Sequence, residues 1–243
     1  MPNKRRVLGQ HMLVDRKVLA DIVDAADIDK NEIVCEAGTG RGILTAELCK
    51  RARTVRSFEV DRALYSDARS KMTNPNLELT NADLFHSANL QFDVFVSNLP
   101  YSRSRDAFEW LATQKFKRGV VMVQKEFADK LQAGPDVKNY RAISALAACC
   151  FRLKELFHVS SESFEPQPRI ESVVLSIQPL QVISRETIRN LNLLFSKRNR
   201  KASSVASKAG IADFESGGTS IGKLPPHRIL ELAVLMSDIH AFR

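Results

Sequence analysis

The chain has 243 residues, 44% of them hydrophobic and 26% charged, with 36 Lys and Arg against 28 Asp and Glu and hence a net charge of +8. This composition excludes a disordered or fibrous chain, and no apolar run approaches the roughly 18 to 20 residues that a membrane-spanning helix needs. The surplus of positive charge suits a polyanionic partner and plain solubility equally well.

The N-terminal "MPNKRRVLGQ" lacks the apolar core of a signal peptide, which points to a cytoplasmic protein. From about residue 30, short apolar runs alternate with helical patterns. "EIVCEAG" (32–38), "TVRSFEV" (54–60), "NLELTNA" (76–82), "FDVFVSN" (92–98) and "GVVMV" (119–123) read as strands, several of them apolar on both faces. Between them "ILTAELCKRA", "ALYSDARSKM" and "SRDAFEWLATQKF" carry apolar residues at three- and four-residue spacing, as amphipathic helices do. The βαβαβ order predicts an α/β fold with a Rossmann-like, mostly parallel sheet.

After a helical "RAISALAACCF" (141–151) come "LKELFHVS" and "SVVLSIQPL", joined so closely that an antiparallel edge is expected. From about 181 the chain changes to two amphipathic helices, "SRETIRNLNLLF" and "HRILELAVLMSDI", separated by basic and then Gly-rich sequence. The expected division is therefore 1–180 for the main domain and 181–243 for a small helical one. Cys35, Cys49, Cys149 and Cys150 have neither CxxC spacing nor neighbouring histidines, so they read as buried reduced thiols and no metal site is expected. No coiled-coil heptads are present, and a monomer is expected.

"EAGTGRG" (36–42) leaves the first strand and enters a helix. Its glycines allow a tight turn and a close backbone approach to a ligand, with amide donors free at the helix start. Glu59 ends the second strand, 59 − 38 = 21 residues after Gly38, where a carboxylate accepts hydrogen bonds from ribose hydroxyls. The loop reads GxGxG with Ile43 where a dinucleotide fingerprint has its third glycine, which favours a nucleoside ligand without a pyrophosphate, such as S-adenosylmethionine. Asp83, in "NAD" (81–83), ends the third strand and can accept from an adenine amino group; as an alternative it caps a turn.

The fourth strand runs straight into Ser97-Asn98-Leu99-Pro100-Tyr101. In open α/β sheets ligands bind at the carboxyl ends of the strands, so these residues fall beside the glycine loop. Adenine's amine is a poor nucleophile because its lone pair is delocalised. The Asn98 amide oxygen and the Leu99 carbonyl can each accept one of its N–H groups and turn the lone pair outward, while Pro100 fixes the backbone and Tyr101 offers a ring face to an unstacked base.

At these residues the chain resembles the ribosomal RNA adenine N6,N6-dimethyltransferases of the KsgA type, which are related to the Erm methyltransferases. "LGQHML" (8–13), "EAGTGRGILT", "FEVD", "NADLF", "NLPY", "MVQKEFADKL" (122–131), "SFEPQPRIESVVL" (163–175) and "LFSKRNRK" (194–201) carry the likeness. The resemblance implies that His11, Leu13, Gly38, Gly40, Glu59, Asp83 and Asn98 line the cofactor, and that Phe164 stacks on the target base opposite Tyr101. It also implies that the substrate is a pair of adjacent adenosines in the 3′-terminal hairpin loop of small-subunit ribosomal RNA. Thr39 departs from the proline common in bacterial members. Arg198, Arg200 and Lys201 fall on a predicted basic helix suited to RNA phosphates. Two other functions stay open: a large-subunit adenine methyltransferase of the antibiotic-resistance type, and a non-catalytic assembly or transcription factor of the same fold.

Overall fold

The computed structural model describes residues 12–88, 90–135, 137–212 and 214–241. The chain folds as two compact units, the first made of residues up to Trp110, Gln114–Ala128 and Leu153–Pro179, the second of Leu111–Thr113, Asp129–Arg152 and Leu180 onward.

The first unit begins with a two-residue strand β1 (Met12–Leu13) and helix α1 (Arg16–Ala25). Asp15 starts that helix by accepting from the Lys17 and Val18 amides at 2.9 and 3.2 Å, and Leu19, Ile22 and Val23 turn one face inward. Then follow β2 (Ile33–Ala37), α2 (Ile43–Cys49), β3 (Thr54–Phe58), α3 (Arg62–Lys71), β4 (Leu77–Thr80), β5 (Val94–Asn98), α4 (Ser104–Leu111), β6 (Arg118–Gln124) and α5 (Lys125–Leu131). After helix α6 (Ala142–Cys150) come β7 (Phe151–Val159), β8 (Phe164–Glu165) and β9 (Ser172–Pro179).

Seven strands form one sheet in the order β4-β3-β2-β5-β6-β9-β7. The first five run parallel, and β9 lies antiparallel to β6, with Val121 opposite Leu175. This is the expected Rossmann-like sheet with its antiparallel side. The central strands are buried on both faces, and on one of them Val34, Val94, Val96, Val120, Met122 and Val174 join Leu19, Ile22 and Leu48 in one core cluster. The two shortest strands pair with each other apart from this sheet, Leu13 opposite Phe164.

The second unit is helical: α6, α7 (Arg185–Ser196), α8 (Ala202–Lys208) and α9 (Pro226–Ala241). The expectation of a helical unit confined to 181–243 leaves out α6. That helix is apolar nearly all round, so it is buried rather than amphipathic, and α7 and α9 both pack against it. Tyr140 anchors the cluster, its ring edge-on to Phe195 at 5.2 Å and its hydroxyl donating to the Leu224 carbonyl at 3.1 Å.

The basic cluster differs from expectation, because Arg198 and Arg200 lie in the turn after α7, and Lys201 caps α8. Gly222, from a later segment, packs against this turn: its amide donates to the Arg198 carbonyl at 2.8 Å, and a Cβ on it would lie 3.1 Å from Arg198 side-chain atoms. Arg200 and Lys201 are exposed and Arg198 is half-buried.

Candidate functional site

The carboxyl ends of β2, β3, β4 and β5 open into one cleft of the first unit, lined by Leu13, Gly38, Gly40, Glu59, Asp83, Asn98, Leu99, Pro100 and Tyr101 among others. Six segments far apart in sequence were expected to meet, and the sheet brings residues of five of them together here. His11 lies outside the described residues. Phe164 is not at the cleft: its ring is 4% exposed and packs in the core with Leu13, because β8 pairs with β1 and turns that face inward. The reading that it stacks on a base opposite Tyr101 is therefore corrected by the structure.

The glycine loop binds itself to the sheet. Gly38 and Gly40 have φ of 84° and 56°, which L side chains rarely adopt, and Gly38 runs close to the next segment, a Cβ there lying 3.9 Å from Pro100 Cδ. The Gly38 and Thr39 amides donate to the Phe58 carbonyl at 2.8 and 3.3 Å, the Gly40 amide to Glu59 Oε2 at 2.9 Å and the Gly42 amide to the Thr39 carbonyl at 2.8 Å. The free amide donors expected of this loop are thus mostly taken by the protein. What the loop offers instead is a close, uncluttered backbone surface.

Glu59 is 3% exposed and stands at the end of β3, with Oε1 also accepting from the Asp61 amide at 2.9 Å. Each carboxylate oxygen carries a second lone pair, so two acceptor positions remain. Below the loop, Glu36 is fully buried. Its Oε2 accepts from Ser57 at 2.6 Å and Thr45 at 2.7 Å, and its Oε1 has no partner among the described residues. Burial, opposed by these two hydrogen bonds and aided by the negative charge of Glu59, pushes the Glu36 carboxyl up to about 7. Thr39, the departure from proline, has a use: its hydroxyl lies 2.6 Å from that of Ser57 and links the loop to this buried acid.

On the other side of the cleft Ser97 donates to the Ala37 carbonyl at 2.7 Å, locking the ends of β5 and β2 together, and the Leu99 amide donates to the Met122 carbonyl at 3.2 Å. Asn98 is half-buried and lines the cleft, and its carboxamide makes no hydrogen bond among the described residues. Tyr101 is held by a 2.7 Å bond between its hydroxyl and that of Ser172, and burial, against that bond, raises its phenol above the usual range. Asp83 caps a short turn, Oδ1 accepting from the Phe85 amide at 3.0 Å, and Arg103 donates to its Oδ2 at 2.8 Å. Burial pushes the Asp83 carboxyl up, but the Arg103 and Phe85 bonds outweigh it and hold the group below its ordinary range.

A model of the ribosomal RNA adenine dimethylase family matches residues 1–208. The chain belongs to this family. Among curated relatives, the ribosomal RNA small subunit methyltransferase A of Thermotoga maritima is 31% identical over 200 residues, 81% of this chain and 72% of that protein. The corresponding protein of Mesomycoplasma hyopneumoniae is 37% identical over 179 residues, 72% of this chain and 68% of that one. Two solved structures share the fold. A dimethyladenosine transferase from Plasmodium falciparum aligns with a TM-score of 0.75 at 22% identity, over 94% of this chain and 98% of that one. The 23S rRNA methyltransferase ErmE aligns at 0.62 and 23%, over 93% and 99%. Within a ribosomal RNA adenine dimethylase, Ser57, Thr45, Ser172 and Arg103 are the site residues that reading the sequence missed. Only Arg103 carried a signal, lying two positions beyond Tyr101.

Proposed function

We propose that the chain is an S-adenosylmethionine-dependent enzyme that dimethylates the N6 amino groups of two adjacent adenosines in the 3′-terminal hairpin loop of small-subunit ribosomal RNA. It acts in the cytoplasm on an assembling particle. The observation that carries this reading is the meeting of Asn98–Tyr101 with Gly38 and Gly40 in one cleft that also holds Glu59 and Asp83. The names of the relatives support the small subunit over the large one.

The residues present fit the cofactor. Glu59 keeps two acceptor positions for a ribose diol, Asp83 is an ionised acceptor beside the cleft, and the glycines leave room for a close approach. When bound, S-adenosylmethionine supplies an activated methyl group. Asn98 is free to accept one N–H of the target amine through its amide oxygen, and the Leu99 carbonyl accepts the other, which directs the lone pair away from both. Tyr101, fixed by Ser172, presents its ring to the base. The methylated amine is acidic enough to release its proton to water, so no strong base is needed. Arg198, Arg200 and Lys201 are assigned to RNA phosphates.

The test is mass spectrometry of nucleosides after incubation with S-adenosylmethionine and unmethylated small subunits, with large-subunit RNA and an Asn98→Ala enzyme in parallel. Dimethyladenosine in the small subunit alone, absent with the variant, is the expected result. Product in the large subunit only would move the assignment to the resistance type. No product despite cofactor binding would make the chain a non-catalytic factor.

A further inference from the structure

Asp83 does not stand alone at the cleft. Arg103, at the end of the one-turn 3-10 segment Tyr101–Arg103, reaches back across the opening and puts Nη2 2.8 Å from Asp83 Oδ2. Its Nε lies 2.7 Å from Asp106 Oδ2, and its guanidinium carbon sits 5.1 Å from the centre of the Phe85 ring. Phe85 in turn donates its amide to Asp83 Oδ1 at 3.0 Å, and His86 Nδ1 lies 3.1 Å from Oδ2. One arginine thus bridges two carboxylates and a ring, using the planar fork that lysine lacks.

We propose that Arg103 is a positioning residue: it fixes the Asp83 carboxylate so that a single open acceptor faces the cleft, and thereby sets the preference for a 6-amino purine in the cofactor. The inference rests on the cofactor reading above. A carboxylate has about four acceptor positions. The Arg103 bond takes one position of Oδ2, beside which His86 Nδ1 lies at 3.1 Å, and the Phe85 amide takes one of those of Oδ1, which leaves Oδ1 one open position. One acceptor held in place pairs with an N–H of adenine's amino group. It meets the 6-oxo group of hypoxanthine as acceptor against acceptor, with a negative charge on the protein side. A site built in this way rejects the oxo analogue strongly, because the mismatch leaves its own polar group unpaired. Arg103 also keeps Asp83 ionised, and it follows Tyr101 by two residues, so the segment that receives the target base and the one that receives the cofactor share one anchor.

The experiment is titration calorimetry of S-adenosylhomocysteine and S-inosylhomocysteine against the full chain and its Arg103→Met, Arg103→Lys and Asp83→Ala variants, each checked by thermal melting. The protein should prefer the adenosyl ligand by about 100-fold or more, a preference that falls below about 10-fold in Arg103→Met. In Asp83→Ala the ratio falls equally, and combining the two substitutions lowers it no further. Arg103→Lys, which keeps the charge but not the fork, gives an intermediate ratio and covers the case in which the methionine variant does not fold. If the adenosyl preference survives in both Arg103 variants, the inference is overturned. A protein that binds both ligands equally well also overturns it while leaving the cofactor reading standing; one that binds neither removes both.

Discussion

Two glutamates four residues apart show what separates the two ends of the sheet. Glu32, just before β2, meets Arg118, whose Nη2 and Nη1 donate to Oε2 and Oε1 at 2.7 and 3.0 Å, while Lys117 lies 3.3 Å from Oε1 and 3.1 Å from Asp93. The Arg118 bonds, against a burial cost, carry Glu32 down to about 2. Glu36, near the other end of the same strand, has hydroxyl partners on one oxygen, none on the other, and no cation, and it is pushed up to about 7. The amino end has its charges answered by protein, as a structural junction must. The carboxyl end keeps unanswered groups, namely Glu36 Oε1, the Asn98 carboxamide and the open positions of Glu59, and there the cleft opens. A buried acceptor without a partner, as Glu36 Oε1 is among the described residues, costs stability, and beside open acceptors at a cleft it marks a site.

If this division holds, substitutions at the two ends separate into losses of chemistry and losses of stability. The largest effect is expected at Asn98: Asn98→Ala should lower methyl transfer by about 1,000-fold, on the scale of losing one transition-state acceptor, with RNA affinity and melting temperature nearly unchanged. Single-turnover kinetics beside RNA binding decide it, and an equal loss of both would deny Asn98 its catalytic role. At the opposite end, Arg118→Met leaves Glu32 little exposed and without its main partner and removes the bonds to the Ala26 and Asp27 carbonyls. It should cost about 3 kcal/mol in denaturant unfolding while cofactor affinity stays put.

The pair also predicts opposite pH slopes. Glu32 has its pKa lowered in the fold, so it adds stability above the ordinary 4.5, and that contribution is lost as pH falls toward about 2. Glu36 has its pKa raised, so between 4.5 and about 7 the folded chain holds a proton that the unfolded chain has released, and stability falls as pH rises through that window and levels off above it. The second slope amounts to about 3 kcal/mol across that window on the linkage scale of 1.36 kcal/mol per pH unit, and Glu36→Gln should flatten it. Unfolding series from pH 3 to 8 on both proteins check this. An unchanged slope between pH 4.5 and 7 would mean that Glu36 is not the titrating group.

Much of this site was legible in the sequence, for a definite reason. Glu59, Asp83 and Asn98 each lie at or just past the carboxyl end of a strand readable from its apolar residues, and such ends of a parallel sheet converge on one edge, so their meeting follows from topology alone. What escaped depends on side chains choosing partners across space. Only the family resemblance places Phe164 against the target base, and its burial is decided by a two-residue pairing with Leu13, some 150 positions earlier. The amides of the glycine loop look free until Phe58 and Glu59 are placed beside them. Ser57 and Thr45 are unremarkable strand and helix residues until an acid between them is buried. Helix α1 does carry local signals, a capping Asp15 and the spacing of Leu19, Ile22 and Val23. The turn at Arg198 needed Gly222, which no local rule joins to it.

That turn supplies the weakest effect and the sharpest use of the comparison, because it asks which of the chain's many cations are free. Neutralising Arg198, Arg200 and Lys201 together should lessen the slope of log affinity against log salt by about 2, since each phosphate contact on RNA contributes somewhat under one. The three are not equal. Arg198 is half-buried against Gly222 and should contribute least, so Arg200→Gln and Lys201→Gln should carry most of the change. Arg118 is the control: it bears the same charge, but Glu32 already neutralises it, and Arg118→Met should lower stability and leave the salt slope alone. A slope that drops as much for Arg118→Met as for the triple variant would mean that RNA responds to net charge and not to this turn, and the division between answered and unanswered charge would fail with it.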